Sequence, residues 1–417
     1  MVTLLGAGDD PLPEALIDGL QAAARRHGGI MLHDGSAAPV DRGPVSLALA
    51  ADHRPVQQLL LWRDSAARPI TGTPAWLGPR DVALHHHLAL DRPADFDRLV
   101  RFLCDEARGL VLAGGGAFGT AHLGAFKAIQ EAGIAIDFVG GTSVGAAMSA
   151  AIGLGLEMDD SMRRCNDIFV ANKAMGRLTV PLYSVLNHQV FDEQLEKHFG
   201  SDPVEDMPLN YFAVASSLSR NAPHVIRSGP LWKAVRSSGS IPALLPPMLS
   251  DDGEVLIDGG LFDNLPLQVM RRLKCGPNIA FDFRQGRDWR IQAEYEALPG
   301  RFRAAAGLVL GRIARPARVR RFPRIASVLS RAMTMNSRRL MAETDFGRDV
   351  LFELPIRSGA SFLDWNRGQD HFDTAHQALA RALALAADPP AATEAAPPRD
   401  PQIERLRLAA GLLQQKV

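Results

Sequence analysis

Two glycine-rich turns, set one helix apart, constrain this chain more than any other feature of it. Residues 109–113 (G-L-V-L-A) read as a buried strand, Gly114-Gly115-Gly116-Ala117-Phe118-Gly119 as a turn, and residues 120–132 as a helix. A second apolar run, residues 136–139, leads into Gly141-Thr142-Ser143-Val144-Gly145, and a small-residue helical stretch follows over 146–156. Strand, sharp turn and helix around G-x-S-x-G form the context of a nucleophile elbow. Gly141 and Gly145 let the backbone bend and clear space around the serine. The Ser143 hydroxyl then lies at a helix N-terminus, where N–H groups favour developing negative charge. Strands joined by one helix are expected to be parallel neighbours. The N–H groups of Gly114, Gly115 and Gly116 should therefore face Ser143, as an oxyanion hole faces a nucleophile. The first turn is formally G-x-G-x-x-G, but a dinucleotide site needs an acid at the end of the next strand. Here that strand ends in Gly140-Gly141-Thr142-Ser143.

A serine hydroxyl needs a base. Asp258 follows a short strand and opens the turn Asp258-Gly259-Gly260, so its carboxylate should project from the same sheet edge as Ser143. Alone, D-G-G reads as a turn aspartate bonding its own backbone; the three glycine turns together point to a Ser143–Asp258 pair. The alternative is a Ser–Asp–His triad using His371 or His376. His122, in the first turn of the helix after the glycine loop, reads as a packing or capping residue.

Around this centre, strands and helices alternate, which argues for a mainly parallel sheet covered on both faces. Helices are expected over 157–175, 190–199, 230–237 and 265–273, and strands over 211–216, 254–257 and 278–283. Residues 1–105 read as a small Rossmann-like α/β subdomain, 106–386 as the catalytic domain, and 387–417 as a Pro/Ala linker with a short terminal helix. The Gly6-Ala7-Gly8 turn lacks a third glycine and reads as a plain βα turn. His85-His86-His87 suggests a metal, but neighbours on a strand point to opposite faces; a partly exposed strand is the simpler expectation.

The formal net charge of 0 over 417 residues supplies no field for nucleic acid. Cys104, Cys165 and Cys275 have no metal-ligand spacing and suit a reducing, cytoplasmic setting. Residues 1–20 carry acids and no basic leader region, so no signal peptide is expected. The uncharged run 138–156 falls short of spanning length and reads as a core helix. One region is strongly biased: between Glu296 and Glu343 there are eleven arginines and no acid. Its first part projects as an amphipathic helix with Phe302, Ala306, Val309, Leu310 and Ile313 on one side. Its second part repeats the pattern with Ile325, Val328, Leu329, Ala332 and Met333. Such a segment suits an anionic membrane surface, with Arg312, Arg315, Arg320 and Arg321 as the contacts. It equally suits two surface helices covering the domain.

In their order, G-G-G-A-F-G, G-T-S-V-G and D-G-G resemble the patatin-like phospholipases. Val180-Pro181-Leu182, Gly229-Pro230-Leu231-Trp232, Arg236-Ser237-Ser238 and D-G-G-L-F-D-N-L-P over 258–266 resemble the neuropathy target esterase branch. The resemblance covers roughly residues 80–375. It implies a three-layer α/β/α domain and a Ser–Asp dyad, with Ser143 acylated and Asp258 as base and later activator of water. It also implies an oxyanion held by Gly114, Gly115 and Gly116, no metal or other cofactor, and phospholipid or lysophospholipid substrates. Phe118 departs from the pattern, since the family usually has Arg or Lys there, and this bears on headgroup preference. A membrane- or acyl-binding member without hydrolysis, and acyl transfer to another alcohol, are the remaining alternatives.

Overall fold

The computed structural model describes residues 2–7, 14–26, 32–34, 43–51, 54–78, 82–283, 300, 325–356 and 361–387. Two sheets organise them.

The first sheet holds β1 (Val2–Ala7), β2 (Leu32–Asp34), β3 (Gly43–Ala51), β4 (Arg54–Arg63) and β5 (Leu84–Ala89), in the order β2-β1-β3-β4-β5. A helix α1 (Glu14–Arg26) joins the parallel pair β1 and β2, as a Rossmann-like start requires. The likeness ends there. β3 runs antiparallel to both β1 and β4, so the sheet is mixed. A short connection of Ala51 to Arg54 cannot make the long crossover that parallel strands need. After α2 (Thr73–Leu77) and β5, helix α3 (Pro93–Leu103) lays Phe96, Leu99 and Val100 against Leu16 and Leu20 of α1.

The second sheet has eight strands: β6 (Gly109–Leu112), β7 (Phe138–Thr142), β8 (Asn210–Ser217), β9 (Ala222–Ile226), β10 (Met248–Leu249), β11 (Val255–Asp258), β12 (Asn278–Phe283) and β13 (Val350–Leu354). The order is β10-β11-β8-β7-β6-β12-β13, with β9 on the far edge of β8. β8, β7, β6, β12 and β13 run parallel to their neighbours in the centre. Strand alternation divides the core into layers. Leu110, Leu112 and Val139 meet one side, where α4 (Thr120–Glu131), α5 (Val144–Gly153), α7 (His188–Phe199), α8 (Leu231–Ser238) and α11 (Gly368–Ala387) pack. Val111, Ala113, Phe138 and Phe212 meet the other, against α9 (Leu267–Leu273). All ten residues of α5 are buried, as its apolar run requires.

Where the sequence suggests one helix over 157–175, α6 (Met158–Asn166) passes into a single π turn, Asp167–Ala171. β9, β13 and α11 had no counterpart in the sequence reading. The triple histidine is more buried than expected. His86 and His87 are under 6% exposed: His87 lies under the 3-10 turn Val204–Asp206, and His86, on the other face, packs against Phe102 and bonds Gln58 Oε1 at 2.7 Å. His85 and His87 share a face, as alternation requires, and both Nε2 atoms reach the Glu205 carbonyl, at 2.9 and 2.8 Å. Among the described residues no group of His, Cys, Asp or Glu could hold a metal, and no helix is long and apolar enough to cross a membrane.

Of the basic region, residues 301–324, with Arg312, Arg315, Arg320 and Arg321, lie outside the described residues. Its second part forms α10 (Ile325–Glu343). The expected apolar stripe does not all face inward. Met333 is buried beside Thr334 and Ser337, while Val328, 46% exposed, and Ala332 face solvent. The helix lies against the tight turn Gly259–Leu261, and small Thr334 and Ser337 allow a close approach that a row of large side chains would not.

Candidate active site

Register on β8 explains how a distant aspartate reaches the elbow. β7 pairs with residues 210–214 of β8, and β11 pairs antiparallel with 215–217. β9 pairs with 213–217, overlapping both, so it takes the opposite edge. β7 and β11 therefore share one edge and meet end to end. Thr142, opposite Val214, ends β7, and Asp258, opposite Ala215, ends β11. Ser143, one residue on, lies beside Asp258.

Ser143 Oγ donates to Asp258 Oδ2 at 2.6 Å. Asp258 is 1% exposed, and its other oxygen accepts the Gly260 N–H at 2.8 Å. Burial pushes its carboxyl up to about 6, against the opposing pull of the Ser143 and Gly260 hydrogen bonds. The charged form is therefore a stronger base than a solvated carboxylate, yet still dominates at neutral pH.

The elbow is sharp: Ser143 has φ 55° and ψ −124°, a conformation L-residues rarely adopt. Its N–H donates to Ser238 Oγ at 2.8 Å, and Ser238 donates onward to the Val214 carbonyl at 2.6 Å. Gly145 is required because a Cβ there would fall 2.1 Å from the Leu112 carbonyl oxygen. That close approach brings the first turn of α5 onto the end of β6, beside the glycine loop.

In that loop the expected roles separate. Gly114 N–H donates to the Asn264 carbonyl at 3.0 Å, and Asn264 Nδ2 returns a 3.0 Å bond to the Gly114 carbonyl. Gly114 is thus tied into the scaffold and its N–H is not available to an oxyanion in this arrangement. Gly115 and Gly116 N–H have no acceptor among the described residues. Gly116 has φ +58°, and a Cβ there would meet the Phe362 carbonyl at 2.3 Å. Asn264 escaped the sequence reading; it lies within the D-N-L-P string, whose spacing after Asp258 was the available signal.

A buried arginine sets the Asp258 strand end. Arg236 is fully buried, bonds Asp192 at 2.5 Å, and donates to Ser240 Oγ at 2.5 Å. The Ser240 carbonyl then accepts the Asp258 N–H at 2.9 Å. The histidines stand elsewhere. His376 pairs with Glu131 at 2.7 Å on the surface, and His371 stacks edge-on against Phe118. Neither is hydrogen-bonded to Ser143 or Asp258, so the triad alternative lacks its geometry. His122 Nε2 donates to the Ala113 carbonyl at 2.8 Å, under the glycine loop, and burial lowers it to about 4. Phe118 is 8% exposed between Phe283 and His371. A cation there would be buried rather than presented to a headgroup.

Gly114, Gly115, Gly116, Phe118, Ile241, Asn264, Met333, Thr334 and Phe362 enclose Ser143 and Asp258 in a cavity of about 30 Å³. That is roughly the space of one water. Met333 and Thr334 of α10, with Phe362, stand on the walls of this space.

A strained serine at a strand–helix elbow, a buried aspartate on it, and a glycine loop alongside, all at one end of a three-layer α/β/α sheet, define a patatin-type domain. Residues 110–271 match the family described as Patatin-like phospholipase. An uncharacterised NTE family protein of Mycobacterium tuberculosis is 34% identical over 212 residues, covering 51% of this chain and 36% of that protein. The neuropathy target esterase sws of Drosophila melanogaster is 33% identical over 258 residues, covering 54% and 18%. The lysophospholipase nte1 of Aspergillus fumigatus is 38% identical over 192 residues, covering 45% and 12%. The matched segments thus span between 12% and 36% of the length of these relatives.

Proposed function

We propose that the protein is a serine lipid acyl hydrolase that cleaves carboxylic esters of phospholipids or lysophospholipids through a Ser143–Asp258 dyad. The observation that carries this is the 2.6 Å bond from Ser143 Oγ to a buried carboxylate whose only other hydrogen-bond partner among the described residues is the Gly260 N–H. Ser143 Oγ attacks the ester carbonyl and its proton passes to Asp258. The oxyanion is held by Gly115 and Gly116 N–H, with help from the positive end of α5. Collapse breaks the bond to the lipid alcohol, which leaves with the proton from Asp258. Water then attacks the acyl-Ser143 ester, Asp258 takes its proton, and the fatty acid departs as Ser143 Oγ is reprotonated. The chain's own residues supply every proton transfer in this cycle. A lipid substrate implies a membrane or micelle surface, on the cytoplasmic side, and Arg312, Arg315, Arg320 and Arg321 are the proposed anionic-lipid contacts.

The test is covalent labelling and product analysis. A fluorophosphonate probe should label the wild-type protein and not Ser143→Ala, and the wild type should release fatty acid from lysophosphatidylcholine. Turnover retained in Ser143→Ala would overturn the assignment.

A further inference from the structure

The most exposed large apolar side chains of the described residues cluster in one short loop. Leu178, Val180, Leu182 and Tyr183 are 76%, 81%, 74% and 79% exposed. Soluble domains seldom leave such a group in water without a use for it. The loop has a defined shape. Leu178 and Leu186 form an antiparallel bridge. Asn187 N–H donates to the Arg177 carbonyl at 2.8 Å, and Thr179 N–H to the Val185 carbonyl at 3.0 Å. At the tip, Leu182 N–H closes on the Val180 carbonyl at 2.8 Å, and buried Ser184 donates to the Leu186 carbonyl at 2.8 Å. The apolar tip is therefore held out by its own backbone bonds.

Its base is fastened to the wall of the active site. Val185 and Leu186 N–H donate to the Ala243 and Leu244 carbonyls, at 2.9 and 3.0 Å. Ile241, two residues before Ala243, lines the cavity over Ser143. The charged residues of this stretch of chain have one sign. From Ile168 to Phe191 the chain has no acid, and exposed Lys173 and Arg177 flank the loop base. Apolar tip, aromatic with a polar end, and basic shoulder are the features of a segment that enters a lipid interface under anionic headgroups.

We propose that the loop from Leu178 to Val185 is a lipid-surface anchor. It inserts Val180, Leu182 and Tyr183 among the acyl chains of an anionic bilayer and holds the mouth of the Ser143 site at the headgroup level. This rests on the lipid-hydrolase reading for its purpose, but not for its binding. Because the tip is exposed, polar substitutions there remove no packing and should leave the fold intact.

The experiment is co-sedimentation of the full chain with vesicles of equimolar phosphatidylglycerol and phosphatidylcholine. It is run for the wild type, for Ser143→Ala, and for the triple variant Val180→Ser, Leu182→Ser, Tyr183→Ser. The wild type and Ser143→Ala should bind alike. The triple variant should bind at least about tenfold more weakly, since it loses the burial of three apolar side chains. Its hydrolysis of a water-soluble butyrate ester should stay within about twofold of wild type, because the loop lies outside the groups that act on the ester. Binding by the triple variant equal to wild type, or no vesicle binding by wild type, would overturn the anchor. So would a wild-type dimer in solution that the triple variant converts to monomer, since a second copy would then cover the loop. Failure of the hydrolase reading would show separately, as a wild type that binds vesicles but cleaves neither lipid nor soluble ester.

Discussion

Beneath Ser143 the polar groups end on buried polar partners; above it the described walls are Met333, Thr334 and Phe362. The Ser143 N–H, the Asp258 N–H and both backbone groups of Gly114 end on buried partners: Ser238, Ser240 and Asn264. The cover is different. α10 puts Met333 and Thr334 over the cavity and is joined to the turn below by Asn336 Nδ2 to the Phe262 carbonyl at 3.0 Å. Its outer row, Val328, Ala332 and Met335, faces solvent. A floor that aligns a proton transfer must be held within a fraction of an ångström. The cover has no such alignment to keep: Met333 and Thr334 need only leave room for an ester beside Ser143.

The contrast can be broken most directly at Asp258. Asp258→Asn keeps the shape of the turn and removes the base, so kcat on a soluble ester should fall by about a thousandfold or more. The same variant should be more stable than wild type at pH 8. The carboxyl is raised from 3.8 to about 6 by burial. A raised acid favours the fold while protonated, and that contribution is lost as pH rises through 6. Two units correspond to roughly 3 kcal/mol, an upper limit for the gain. Chemical denaturation at pH 8 and at pH 4 checks it, with the difference between variants expected to vanish at the lower pH. A less stable Asn variant at pH 8 would mean the floor depends on the charge.

A second break uses pH on the wild type. The carboxylate must be ionised to accept the serine proton, so kcat/KM for a soluble ester should fall on the acid side with a midpoint near 6. A midpoint near 4 would place the working carboxylate in water. Next in size is Asn264→Ala, which cuts the side-chain tie to the Gly114 carbonyl. A loosened oxyanion loop should cost about ten- to a hundredfold in kcat with little change in KM; a change confined to KM would move Asn264 out of the floor. The smallest effect belongs to the cover. Met333→Ala should raise kcat/KM for a small soluble ester by about two- to fivefold through easier entry, and cost about 2 kcal/mol or more of stability. A loss as large as that of Asn264→Ala would make α10 part of the floor.

How much of this was legible in the sequence differs by region. The strand–turn–helix units around Gly114 and Ser143 could be read because their causes are local: apolar runs, glycines where a Cβ would collide, and one helix between two strands. β12 was read to the residue for the same reason, as a short, mostly apolar run after Gly276-Pro277. The apolar stripe of α10 divides, Met333 inward and Val328 and Ala332 outward, since apolar periodicity says which side chains prefer burial and not which surface lies beneath them. The Gly114 N–H was expected to face the oxyanion, and Asn264, some 150 residues away, occupies it instead.

The sequence by itself determined the elbow, the glycine loop, the parallel pairing of β6 with β7, and the pair of residues worth testing. All four follow from backbone sterics and from alternation within a few tens of residues. Tertiary structure decided that Asp258 reaches Ser143, because β11 enters antiparallel and stops on the edge of β8 where β7 ends. It also decided that Arg236 is buried behind that strand end, that Phe118 is walled in by Phe283 and His371, and that the apolar loop at Val180 stays out in solvent. Those outcomes depend on strand register and on which surfaces meet, which no local pattern encodes.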